Sequence, residues 1–169
     1  MSGAPVGLDD FNGLAPEAAE RLLRPCLDVD RWVRAVVAGR PYGSSTELAR
    51  VAESAADPFT DEEVAGALAH HPRIGQRAEG GSAEAAMSRS EQAGLAVDDD
   101  VHRRLRAGNE AYEERFGRVF LIRAAGRSTA EVLGELQTRL DNDEQTEARV
   151  VARELREIAV LRLARAVRS

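Results

Sequence analysis

Phe116-Gly117-Arg118-Val119-Phe120-Leu121-Ile122 is the stretch on which the fold class turns. Its aromatic and β-branched residues lean toward a strand, yet its length alone does not separate a strand from a buried extended link. A strand needs a partner, and the chain offers no convincing second one. The stretch is therefore read as a helix end passing into an extended segment. The chain is read as an all-α single domain of about eight helices over residues 1–169.

Upstream of this stretch, Asp98–Phe116 reads as a helix, and Ser82 or Ala83 starts another that runs through Glu91 and Gln92 toward Gly94. Gln76–Ser82 before it is a polar, glycine-bearing loop long enough to move. Downstream, Ser128-Thr129-Ala130-Glu131 has capping-box spacing, in which a hydroxyl and a carboxylate satisfy orphan amides at a helix start. It opens a helix to about Leu140. Asn142 is placed to cap the last helix, Asp143 to about Val167, with Val150, Val151, Leu155, Ile158, Leu161 and Leu163 as its apolar members. Arg162, Arg165 and Arg168 suit its negative end and are expected to point outward.

Nearer the N-terminus, Ser44 with Glu47 and Thr60 with Glu63 repeat the capping-box spacing and open helices at about 45–56 and 61–70. Pro58 disfavours helical geometry at Asp57 and breaks the chain between them. Leu14–Leu27, with Pro16 in its first turn, and Arg31–Ala38, capped by Asp28 or Asp30, complete the eight. Trp32, Val33, Val36 and Val37 form the buried stripe of the latter. Met1–Gly7, small and flexible, is expected to fray.

Composition narrows the function. With 169 residues, 43% hydrophobic and 31% charged, the chain is long enough to bury a core without disulfides or metal. A net charge of -6 and a pI near 5.2 argue against nucleic-acid binding, which draws on a basic face. Cys26 is the only cysteine, set among apolar residues, and reads as a buried inert thiol. No leader pattern is evident and no apolar run reaches the roughly 20 residues of a membrane helix, so a cytoplasmic setting is expected. Three histidines and one cysteine supply no metal-ligand set.

Three segments can carry chemistry: His70-His71-Pro72-Arg73-Ile74-Gly75, Ser88-Arg89-Ser90-Glu91-Gln92, and Ile122 to Arg127. The first places imidazoles where a helix ends and side chains turn toward a ligand. In the second, Ser88 and Glu91 match a capping box, but the pattern from Ala83 to Met87 is already helical. If that helix is continuous, Ser88, Glu91 and Gln92 share one face and offer a hydroxyl, a carboxylate and a carboxamide to a ligand rich in amide and carbonyl edges. In the third, small side chains leave the backbone amides of Ile122, Arg123, Ala124 and Ala125 accessible, and Arg127 offers a bidentate grip on a carboxylate. His102, beside Arg103 and Arg104, reads as solvated.

In order and spacing, His71-Pro72-Arg73-Ile74-Gly75, Ser88-x-x-Glu91-Gln92-Ala93-Gly94-Leu95, Asn109-x-x-Tyr112, Phe116-Gly117-x-x-Phe120-Leu121-Ile122 and Gly126-Arg127-Ser128 resemble the 2-oxo-4-hydroxy-4-carboxy-5-ureidoimidazoline (OHCU) decarboxylase family. The resemblance runs over about residues 8–165, and Arg139–Asp143 resembles a later signature of that family. It implies a cofactor-free, all-helical, homodimeric enzyme of urate breakdown that removes the C4 carboxylate of OHCU and protonates the product to S-allantoin. Position by position, it implies His71 as catalytic proton donor and Glu91 as its acidic partner, with Pro72, Ser88 and Gln92 lining the substrate. The backbone of Ile122–Ala125 would hold its oxygens. Ala125 stands where many relatives carry arginine, so either Arg123 or Arg127 is the carboxylate clamp. Two rival readings are a helical interaction module with structural histidines, and a relative acting on a different ureido substrate. His70 is expected to pack or face solvent.

Overall fold

The computed structural model describes residues 4–76, 81–95 and 99–169. Among these the chain is mostly helical, with nine helices and one two-residue strand pair. The expected loop at 76–82 lies partly, and the expected helix start at Asp98 and residues 1–3 of the segment expected to fray lie wholly, outside the described residues. Contacts gather the chain into two units, residues 1–67 with 156–169, and residues 68–155.

The first unit carries β1 (Val6–Gly7), α1 (Leu8–Gly13), α2 (Pro16–Leu23), α3 (Asp30–Ala38), α4 (Ser45–Ser54) and α5 (Asp61–Leu68, whose last residue belongs to the second unit). It also holds the end of α9 (Glu144–Ala166) and β2 (Val167–Arg168). Phe11, Leu23, Trp32, Val33, Val36, Leu48 and Leu163 are buried in it. Trp32 meets the need of a buried indole for an acceptor by donating Nε1–H to Ala52 O at 2.9 Å.

Val6 and Gly7 do not fray: they pair in parallel with Val167 and Arg168, a ribbon too short to leave a periodic pattern in sequence. Helix α1 precedes the first helix expected from sequence, and α2 ends at Leu23, so the buried Cys26 lies beyond it. The N-cap position of α3 falls on Val29, which makes no side-chain cap bond, and the carboxylates of Asp28 and Asp30 pair with Arg24, at 2.8 and 2.9 Å. Arg162 is buried and donates Nη1–H to Pro25 O at 3.1 Å, so it does not point outward. The Thr60–Glu63 box closes as read, and the Arg31 guanidinium holds the Glu63 carboxyl below its ordinary range.

The second unit carries α6 (Ala83–Gln92), α7 (Asp99–Phe116), α8 (Thr129–Leu140) and the start of α9. Its core joins Ile74, Leu105, Tyr112, Phe120, Ile122, Val132 and Leu136. Helices α7 and α8 pack closely because Gly108 has no side chain; a Cβ there would overlap Leu136 Cδ2. The Ser128–Glu131 capping box is present at the start of α8. Asn142 does not cap α9: Asp143 Oδ1 accepts the Thr146 amide at 2.6 Å, while Asn142 turns inward to Glu147. Past Phe116 the chain is non-regular through Ala124, as expected of an extended link.

Candidate active site

Helix α5 stops at Leu68, and the His71 amide closes its end on Leu68 O at 3.0 Å. His70 is exposed and His71 half-buried. From His71 onward the loop is tied down by side chains reaching in from other elements. Arg73 grips Glu113 of α7 with two parallel bonds, Nε to Oε1 at 2.6 Å and Nη2 to Oε2 at 2.5 Å, which raises the guanidinium pKa. Asn109, one turn earlier on α7, donates Nδ2–H to the buried Ile74 O at 2.9 Å. The Gly75 amide donates to Gln92 Oε1 of α6 at 2.9 Å.

Gly75 has φ +83, and a Cβ there would stand 3.2 Å from Leu105 Cδ1. Gly75→Ala is expected to destabilise the fold by about 1–2 kcal/mol through the left-handed backbone alone, and to disturb the amide that Gln92 holds. Urea denaturation checks the first effect. A midpoint equal to that of the parent protein would refute it.

Helix α6 is continuous from Ala83, with Ser82 as its N-cap accepting the Ala85 amide at 3.1 Å. Ser88 is therefore an interior, buried residue, and Ser88, Glu91 and Gln92 fall on one arc of the helix. Because Gln92 Oε1 is committed to Gly75, its carboxamide offers the NH2 group, a donor suited to a carbonyl or carboxylate. A cavity of about 490 Å³ opens against this arc, lined in part by Gly75, Ser88, Arg89, Gln92, His102 and Leu105. That volume suits a small ligand. His102 is exposed, as read, but also faces this cavity. His71, Pro72, Glu91 and residues 122–127 are not in its described lining.

Phe120, Leu121 and Ile122 are buried without regular secondary structure, so their backbone needs polar partners from side chains. Arg139 Nη1 donates to Leu121 O at 2.6 Å, and the buried Glu154 Oε2 accepts the Arg123 amide at 2.7 Å. The amide of Arg123 is thus committed within the protein and, contrary to expectation, is not open to a ligand. Arg127 folds back over its own turn, donating Nε–H to Arg123 O at 3.0 Å. Ala124 is buried and Ala125 half-buried beside it.

Arg139 is itself held by Glu147 Oε1, at 2.8 Å from Nε and 2.6 Å from Nη2, with 2% and 0% of the two side chains exposed. Tyr112 donates its hydroxyl to the same oxygen at 2.6 Å. Burial, reinforced by that carboxylate, pushes the Tyr112 pKa up to about 12, which keeps the phenol a donor. Asn109, Tyr112 and Arg139 stand within the motifs quoted above with no role assigned by sequence, and Glu113, Glu147 and Glu154 stand outside them. The available signal was the i, i+3, i+4 spacing of Asn109, Tyr112 and Glu113 on one face of α7.

Fold and site define a mostly helical protein in which the loop that follows the histidine–proline pair is tied to α6 and α7, its Gly75 end lining a small cavity. The OHCU decarboxylase family profile matches residues 12–164. A 2-oxo-4-hydroxy-4-carboxy-5-ureidoimidazoline decarboxylase of Haloferax volcanii is 32% identical over 131 residues, 74% of either chain. A uric acid degradation bifunctional protein of a Bacillus species, strain TB-90, is 25% identical over 92% of this chain, which spans 31% of that protein. A crystal structure of OHCU decarboxylase in the presence of (S)-allantoin superposes with a TM-score of 0.68 at 23% identity, covering 89% of this chain and 96% of that one, a likeness of fold. The chain belongs to the OHCU decarboxylase family.

Proposed function

We propose that this protein decarboxylates OHCU in urate degradation, with His71 as proton donor and Glu91 as its acidic partner. The observation that carries the reading is the family match from residue 12 to residue 164, which spans all three site segments. The C4–carboxylate bond breaks, CO2 leaves, and the electron pair spreads into the conjugated ring. His71 then delivers the proton that gives S-allantoin, and no cofactor enters the step. General acid catalysis of this kind contributes about 10²–10⁴-fold.

Pro72, Ser88 and the donor face of Gln92 line the ureido and imidazoline edges in this reading. The amides of Ile122, Ala124 and Ala125 hold substrate oxygens, and the guanidinium of Arg123 or Arg127 grips the carboxylate. A homodimer in the cytoplasm belongs to the same proposal, with the dimer tested by light scattering.

The test supplies OHCU made freshly from urate by uricase and hydroxyisourate hydrolase, and follows product chirality by circular dichroism. Stereospecific S-allantoin, formed much faster than without protein, is the expected result. Racemic allantoin at the spontaneous rate overturns it and favours an interaction module or another ureido substrate.

A further inference from the structure

We propose that the Arg73–Glu113 ion pair is a positioning device for the His71 imidazole, acting through Pro72; the inference rests on the decarboxylase reading above. Its side chains are 35% and 24% exposed, and pairs this open contribute little to stability. Their geometry is another matter. The two parallel bonds fix the direction of Arg73 as well as its distance from α7.

Between Arg73 and His71 stands Pro72, whose ring locks its own φ and restricts His71 to extended backbone. Few soft dihedrals therefore separate the guanidinium fork from the imidazole. On the other side of His71 its amide is held by Leu68 O at 3.0 Å. Beyond Arg73, Ile74 O is held by Asn109 and the Gly75 amide by Gln92, both at 2.9 Å. The imidazole is thus carried on a short, stiff span anchored at both ends. Glu113 and Asn109 lie one turn apart on α7, so a single rigid helix sets the far anchor.

Glu113→Gln and Arg73→Lys remove the charge and the fork respectively, and the charge-exchanged pair R73E with E113R tests rescue. Two readouts are needed: kcat and KM on OHCU, and the side-chain resonances of isotope-labelled histidine, with His70 and His102 as internal controls. Glu113→Gln is expected to lower kcat by roughly 10- to 100-fold with little change in KM, as for a catalytic group moved by about an ångström. The His71 resonance should shift or broaden while the other two stay fixed, and the exchanged pair should recover part of the kcat.

A His71 resonance identical to that of the parent protein overturns the positioning role, whatever the activity does. If the parent protein fails to turn over OHCU, the proposed function falls, and the resonance alone still decides the positioning. Should Glu113→Gln lose its helical circular dichroism, Arg73→Lys, which keeps the charge, carries the same comparison.

Discussion

His71→Asn is expected to slow OHCU turnover by about 10²–10⁴-fold, the range that general acid catalysis supplies. Asparagine keeps a polar side chain of similar reach and leaves the backbone bond from residue 71 to Leu68 O intact, so the loop is preserved while the titrating proton is lost. The side chain is only half-buried, and the helical circular dichroism should not change. Because the proton moves only in the transition state, the loss belongs in kcat rather than KM. His70→Asn is the matched control: its side chain is exposed one residue away, and turnover should be essentially unaltered. Full turnover by the His71 variant would sink the mechanism, and an equal loss from both variants would show that the effect is on the loop.

Arg139→Met should destabilise the protein by about 3–5 kcal/mol, the usual effect of removing one partner from a buried ion pair. It leaves Glu147 fully buried, with the Tyr112 hydroxyl and Asn142 Nδ2 still directed at it but without its cation. It also leaves Leu121 O without the 2.6 Å donor that fixes the entry to the Ile122–Ala125 segment. Measured against a typical total stability of about 5–15 kcal/mol, such a loss approaches unfolding. Tyr112→Phe removes one hydrogen bond from the same carboxylate and should destabilise by about 1–3 kcal/mol. Denaturant titration of both variants checks the order. A loss below about 1 kcal/mol for Arg139→Met would refute the stabilising role of the buried pair.

These two residues mark the boundary of what sequence reading reached. His71 was legible because Pro72 and Gly75 announce the end of a helix within a few positions, and such signals are local. The continuity of α6 was legible for the same reason, since an uninterrupted helical pattern leaves no room for a cap at Ser88. Arg139 stood inside a recognised signature, yet its partner Glu147 lies in another helix, and nothing in the spacing says that both side chains turn inward. Glu113 was invisible as an anchor because a carboxylate on a charged helix reads as solvated until Arg73, forty residues earlier, is seen to meet it.

The sequence by itself determined the helical class, most helix starts and the family, and it singled out the three segments proposed to bear the chemistry. Each is written in short-range pattern: capping residues three apart, apolar periodicity, glycine and proline at chain reversals. Tertiary structure alone decided which amides are already spent, that Gln92 presents its NH2 rather than its carbonyl, and that α7 anchors the His71 loop. It alone also showed Val6–Gly7 paired with Val167–Arg168 and Arg162 buried against Pro25 O. Those outcomes depend on groups far apart in the chain satisfying one another's hydrogen bonds away from water, a requirement that local pattern does not encode.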